Sequence, residues 1–272
     1  MPLPLAVSPV RLEVAVENAE SVLAAVRGGA QRLEVCSSLA DGGLTPGIGF
    51  VEWVRQTTAI PIHSMIRPRG GNFVYSAAEL AIMEREIAAM RAAGADGVVL
   101  GVLTSCSHVD IKAVRRLAAA ARPMRVVFHR AFDLVADLGQ ALDDVIACGA
   151  EILLTSGGAP ALELGLPMVN ALVERAAGRI EIMGGAGVRL TNAEQLWAAS
   201  SIDTLHASLR SPWPDGGHTP AEGGATMGVR DVEEQLATRE EDVRAVLAML
   251  TPRNAVKPVP DEPLIVGVRG RL

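Results

Sequence analysis

Residues 97–129, GVVLGVLTSCSHVDIKAVRRLAAAARPMRVVFH, read as strand, helix, strand: Gly97–Val102, Asp110–Ala121 and Arg125–His129. The same alternation runs outward in both directions. Further strands are predicted at Arg11–Val16, Gln31–Cys36, Pro61–Arg67, Glu151–Thr155, Arg179–Met183 and Thr204–Ser208. Further helices are predicted at Ala19–Arg27, Gly49–Thr57, Ser76–Ala92, Leu138–Ala147, Ala161–Ala177 and Asn192–Ala199. Strands in this order pair in parallel through right-handed crossovers. Eight such units close most naturally into an α/β barrel of the TIM (β/α)8 type. The rival is an open doubly wound sheet, which needs a Gly-rich turn directly after its first strand. Glu17-Asn18-Ala19-Glu20 stands there instead.

Local signals support the helices. Ser76-Ala-Ala-Glu79 reads as a capping box, and Leu80, Met83, Ile87 and Met90 follow with helical spacing. Thr191-Asn-Ala-Glu194 reads as a second capping box. After Ser208 the pattern breaks into a Gly/Pro-rich excursion over 209–230, and Asp231–Leu250 is expected to supply the eighth helix. One barrel domain is expected over 8–250, with a weakly structured tail at 251–272.

The chain has 272 residues, a length that such barrels use as one unit. No apolar run reaches the roughly 18 residues of a membrane helix. The start, Met1-Pro-Leu-Pro-Leu-Ala, lacks the charged and apolar parts of a signal peptide, so a cytoplasmic location is expected. A net charge of −6 argues against a nucleic-acid surface, which needs clustered positive charge. Three cysteines, Cys36, Cys106 and Cys148, lack the paired spacing of a disulfide framework.

In this fold the working face lies at the carboxyl ends of the strands. Arg67-Pro-Arg-Gly-Gly71 follows strand three and His129-Arg-Ala-Phe-Asp133 strand five. Thr155-Ser-Gly-Gly158 ends strand six, Gly184-Gly-Ala-Gly-Val-Arg189 strand seven, and His206-Ala-Ser208 strand eight. Glycines bring backbone N–H groups close to a ligand, and arginine matches carboxylate or phosphate with a fork of donors. Strand alternation turns Glu13, Glu34, Cys36, His63, Met65, Arg67 and His206 toward the barrel axis. Buried charges must pair. Glu13 and Glu34 are therefore expected to pair with Arg67 or Arg69, or with a ligand.

The candidate ligand-binding residues are Glu13, Arg67, Arg69, Arg130, Thr155, Ser156, Gly184, Gly185, Gly187, His206 and Ser208. The scarce aromatics Phe73, Tyr75, Phe128 and Phe132 read as a pocket wall. His63 reads as a satisfied core residue, and His108 and His218 as solvated loop residues. The Gly-rich turns also have a plain reading as tight connections.

These motifs carry a resemblance. Glu34-Val-Cys36, Gly42-Gly-Leu-Thr-Pro46, Ile66-Arg-Pro-Arg-Gly-Gly71, Phe128-His-Arg-Ala-Phe-Asp133, Leu154-Thr-Ser-Gly157, Gly185-Ala-Gly-Val-Arg189 and His206-Ala-Ser208 are together similar to the CutC family, from about Leu12 to Ser208. The resemblance implies a TIM barrel, a cytoplasmic homodimer or higher homo-oligomer, and a role in copper homeostasis through Cu(I) binding. Cys36 matches the family cysteine of strand two and is the candidate copper ligand, with Met65 and Cys106 as helpers. Strand one, Leu12-Glu-Val-Ala-Val16, lacks the cysteine that copper-binding members often carry there.

The residues themselves leave a second function open: an enzyme acting on a small anionic or phosphorylated metabolite. Arg67 and Arg69 would clamp the anion with the Gly184–Gly187 amides. His129 would move a proton, with Glu34 or Asp133 orienting it. Lys112 and Lys257 are the only lysines and neither ends a strand, which disfavours a Schiff-base aldolase. A third reading is a barrel without catalysis that serves in assembly.

Overall fold

The computed structural model describes residues 11–212 and 236–250. In chain order the elements are β1 (Leu12–Val16), α1 (Ala19–Gly28), β2 (Arg32–Val35), α2 (Ile48–Thr57), β3 (Ile62–Met65) and α3 (Ala77–Ala92). There follow β4 (Gly97–Leu100), α4 (Ile111–Ala121), β5 (Arg125–Phe128), α5 (Leu138–Ala147), β6 (Ile152–Thr155) and α6 (Leu162–Ala176). The chain continues through β7 (Glu181–Gly184), α7 (Ala193–Ala199), β8 (Thr204–Ala207), β9 (Arg210–Pro212), β10 (Leu236–Thr238) and α8 (Glu240–Met249). Strands β1 to β8 pair in order and β8 returns to β1, a closed parallel barrel ringed by helices. This is the expected TIM (β/α)8 fold, with each element within a residue or two of its predicted bounds up to β8.

Alternation builds two apolar layers. One face of each strand packs outward under the helices: Leu12, Val14, Leu33 and Val35 meet Val22, Val51 and Val54 there. Burying each such side chain stabilises by roughly 1.5–3 kcal/mol. The other face fills the barrel. Val99, Val127, Ile152, Leu154 and Met183 make an apolar cluster on the β4–β7 side, with Cys36 and Met65. The β8–β1–β2–β3 side is polar instead, and it carries buried Glu13, Arg32, Glu34, His63 and Thr204.

The capping box at α3 is present: Glu79 N–H donates to Ser76 Oγ, and Ser76 N–H to Glu79 Oε2. The one expected at α7 is not. Asn192 occupies the N-cap there, and its amide accepts from Arg189 N–H at 2.8 Å and donates to the Gly187 carbonyl at 2.9 Å. That side chain therefore braces the β7–α7 loop. The eighth helix is shorter than expected. Leu236–Thr238 is a strand, β10, antiparallel to β9. Thr238 secures it, donating its N–H to Ser21 Oγ at 3.1 Å and its hydroxyl to the Ser208 carbonyl at 2.9 Å. The rest of the expected excursion, 213–230, and the tail, 251–272, lie outside the described residues.

Candidate active site

A cavity of about 800 Å³ opens at the carboxyl ends of the strands. Its floor is the polar side of the barrel. Glu13 is the hub, fully buried on β1. Arg32 donates to Glu13 Oε2, His206 Nδ1 lies 2.9 Å from Oε1, and His63 Nδ1 lies 3.3 Å from Oε2. Burial alone would push the Glu13 carboxyl up. The Arg32 guanidinium, then the neighbouring His206 and His63 rings, outweigh it and hold the group well below the ordinary carboxylate range. Arg32 also bridges to Glu181 at 3.0 Å. The buried arginine thus sits between two carboxylates, an arrangement that offsets the cost of burying its charge.

One layer higher, Glu34 Oε2 takes the Cys36 thiol at 3.4 Å and lies 3.7 Å from His206 Nε2. Burial raises the Glu34 pKa more than His206 lowers it. Burial works against charge on His206, yet Glu34 and Glu13 outweigh it and raise its pKa. Burial, with Glu34 adding, pushes the Cys36 thiol well up, so it stays protonated.

His129 lies on the far wall. Its Nδ1 accepts from Ala131 N–H at 3.2 Å, which assigns the ring proton to Nε2. Phe73 lies against the ring, centroid to centroid at 4.8 Å. Burial lowers its pKa to about 3, so the imidazole is neutral. It is a hydrogen-bond donor here and a poor general base.

Of the residues expected from sequence, Glu34, Arg67, His129, Arg130, Asp133, Gly187, His206 and Ser208 line this cavity. Glu13 and Cys36 lie beneath it. The expected pairing of Glu13 or Glu34 with Arg67 or Arg69 is absent. Arg67 donates to the carbonyls of Asp41, Gly43 and Gly71 at 2.6, 3.1 and 3.0 Å, and its guanidinium lies 4.9 Å from the Phe73 ring. Arg69 turns away to Glu79 and the Asn72 and Val74 carbonyls. Loop carbonyls, invisible to periodicity, take up the terminal nitrogens of both side chains, so the expected Arg67–Arg69 clamp is not formed.

Asp133 does not orient His129 either. It accepts from the Thr155 hydroxyl at 2.5 Å, Ser156 N–H at 3.0 Å, Gly158 N–H at 3.1 Å and Arg130 Nε at 2.8 Å. Thr155 and Ser156 thus fix Asp133, and with it the turn after β5. Gly184 and Gly185 serve packing. A Cβ on Gly184 would stand 2.8 Å from Ile202, and one on Gly185 2.7 Å from Leu154. The Gly185 N–H already donates to the Thr155 carbonyl. Of the expected aromatic wall, Phe73 lines the cavity, whereas Phe128 and Phe132 are fully buried in the outer core.

Sequence reasoning missed Arg32 and Arg210 as site residues, and gave Arg189 only as the end of the working-face motif after strand seven. Arg32 shares the inward parity of Glu34 and Cys36, so the same alternation finds it. Arg189 and Arg210 lie on the cavity rim after β7 and β8.

Two sets of side chains could interest a metal. Single ligand atoms of Glu13, Glu34 and His206 lie within 4.8 Å of one another, a carboxylate and imidazole set in which Glu13 is already paired with Arg32 and His206. The soft donors are Cys36 and Met65. An ideal Cβ on Gly43 would stand 3.1 Å from Cys36 Sγ and 3.2 Å from Met65 Cε, so both side chains abut the same glycine. Cys106 is exposed on the loop after β4, and β1 presents Ala15 opposite Glu34.

The sequence model of the CutC family matches residues 10–211. Over 237 residues the chain is 44% identical to a family protein CutC of Chromobacterium violaceum, covering 86% of this chain and 96% of that protein. It is also 44% identical over 201 residues to a human protein named copper homeostasis protein cutC homolog, covering 74% of this chain and 73% of the relative. A solved CutC structure from Streptococcus agalactiae superposes with a TM-score of 0.70 at 34% identity, covering 73% of this chain and 98% of that one.

Proposed function

Because the chain belongs to the CutC family, we propose that its barrel mouth is the working part, binding a small anionic metabolite and acting on it as an enzyme. One observation carries this reading. Glu34 Oε1, Arg67 Nε, His129 Nε2 and Arg210 Nε are buried without a hydrogen-bond partner among the described residues, and all four residues line the same cavity. Each unpaired buried polar group costs about 1–3 kcal/mol. A polar ligand would offset that cost at all four positions together. Arg189 on the rim, with no acidic partner among the described residues, favours an anion, whereas Arg130 and Arg210 are paired with Asp133 and Glu17. Proton transfer, isomerisation and hydrolysis fit the side chains. Schiff-base chemistry finds no lysine there among the described residues, since Lys112 lies on α4 outside the cavity.

A thermal-shift panel of sugar phosphates and dicarboxylates tests this, since a ligand of the folded state raises the melting temperature. A rise with at least one anion is expected. No shift across the panel counts against the reading. The enzyme is expected in the cytoplasm as a homo-oligomer; among the described residues no helix is long and apolar enough to cross a membrane.

The second reading is copper homeostasis, the words that the human and mouse relatives carry in their names. Cys36 and Met65, both against Gly43, favour it. Cu(I) prefers at least two soft ligands. One protonated thiol and one thioether are a poor fit, with Ala15 on β1 and Cys106 exposed elsewhere. Stoichiometric Cu(I) binding lost in Cys36→Ala would raise this reading above the first.

A further inference from the structure

Two features of the mouth define complementary halves of one ligand. We propose that the ligand is a small phosphorylated carbonyl compound, its phosphate seated on the Ala186–Val188 amides beside Arg189 and its carbonyl oxygen on Nε2–H of His129. This rests on the mouth being an enzyme site.

The phosphate seat follows from backbone geometry. Ala186 and Gly187 have φ of +84° and +71°, consecutive left-handed residues in the turn after β7. Alanine rarely adopts that conformation, and the surroundings enforce it. The Ala186 carbonyl accepts from Leu162 N–H at 3.0 Å, and the Gly187 carbonyl from Asn192 Nδ2 at 2.9 Å. Both carbonyls are therefore engaged by the protein. The amides of Ala186, Gly187 and Val188 donate to no described residue, and all three residues line the cavity. Successive N–H groups in such a turn form an anion-binding concavity. The Arg189 guanidinium, exposed on the same rim, has no partner among the described residues. Phosphate offers the several acceptor oxygens that such a set of donors matches.

His129 supplies the other half. The Ala131 amide fixes its tautomer, and Nε2–H is left buried and unpaired at the cavity wall. A neutral imidazole held in place donates to a carbonyl oxygen and polarises it without giving up its proton. Its depressed pKa agrees with that neutral state. The ends of β5 and β7 are two strand spacings apart, about 10 Å. A carbon chain of a few atoms bridges them.

Isothermal titration of the full chain tests the assignment. The probes are dihydroxyacetone phosphate and ribulose 5-phosphate, their reduced counterparts glycerol 3-phosphate and ribitol 5-phosphate, and unphosphorylated dihydroxyacetone. At least one ketone phosphate should bind tenfold or more tightly than its alcohol, and dihydroxyacetone should not bind measurably. Arg189→Ala should weaken ketone and alcohol phosphates alike, by tenfold or more. His129→Phe should erase the preference for ketone over alcohol while leaving phosphate binding. Should that variant fail to fold, His129→Gln, which keeps a donor, should retain part of the preference. Equal binding of ketone and alcohol phosphates overturns the assignment, as does indifference to Arg189→Ala. If dicarboxylates bind and compete at the mouth while no phosphate ester does, the enzyme reading stands and this assignment falls. If no anion of either kind binds, the enzyme reading itself falls.

Discussion

His206 Nδ1 meets Glu13 Oε1 at 2.9 Å across the seam where β8 closes on β1, the two residues facing each other in register. The contact joins the last strand of the barrel to the first inside the polar half of its interior. Glu13 also holds Arg32, which is as deeply buried as itself. The seam therefore depends on one carboxylate.

Replacing that carboxylate should be costly. Glu13→Gln leaves Arg32 with only the partly exposed Glu181, and removing one partner of a buried ion pair costs about 3–5 kcal/mol. Urea denaturation should show a loss of this size. A double variant, Glu13→Gln with Arg32→Met, should recover much of it. Additive losses would mean that the pair contributes nothing specific.

The pH dependence of stability should carry the mark of His129. Its pKa falls from 6.5 to about 3 on folding, so between those values the unfolded chain binds a proton that the folded chain refuses. This contribution is complete above pH 6.5 and fades as the pH drops toward 3, by up to about 1.4 kcal/mol per pH unit. Denaturation at pH 6.5 and pH 4.5 should therefore show a smaller acid loss in His129→Gln than in the wild type. Equal losses would show that this ring can take up a proton inside the fold.

Asp133 should matter as a fastener. Asp133→Ala leaves the Ser156 and Gly158 amides and the Thr155 hydroxyl unpaired, at about 1–3 kcal/mol for each group that water does not reach. Stability should fall, and the 156–158 backbone should become accessible to hydrogen exchange. Unchanged protection there would show that other contacts hold the turn.

Gly165→Ala should be among the most damaging small changes. A Cβ there would stand 1.8 Å from the Ser156 carbonyl oxygen, backbone against side chain, with no flexible group to yield. A loss of several kcal/mol is expected, of the order seen for overpacked cores, which typically lose about 1–3 kcal/mol, or more. Calorimetry is the measurement. A melting temperature within a degree of wild type would mean that α6 slides freely over the β6 loop.

The barrel was legible because its evidence is periodic. Eight β-branched runs between helical stretches leave few topologies, and the parity that turns Glu13 and Glu34 inward holds in the structure. The short strand β10 was misread as the start of a helix because three residues, Leu236–Thr238, show no period of their own. The site was legible by place and less so by role. Arg67 beside two glycines reads as a ligand fork, yet its two terminal nitrogens are spent on the Asp41, Gly43 and Gly71 carbonyls, contacts set by how two loops fold together. His129 reads as a base until burial and the Ala131 amide are known. Arg210 was passed over because it falls just after the last motif, although β9 sets it on the rim.

The pairing of β9 with β10 has a consequence for how this protein can vary. Arg210–Pro212 and Leu236–Thr238 bring the two ends of the intervening chain together, and Thr238 ties the second of them to Ser21 and Ser208. Lengthening that stretch then adds only a slowly growing closure entropy, about 0.6 kcal/mol per doubling, and leaves the eight-strand ring untouched. Insertions and deletions can accumulate there at little cost to folding. Because Arg210 borders the cavity, changes in the β9–β10 pairing would reach the mouth before they reach the eight-strand ring.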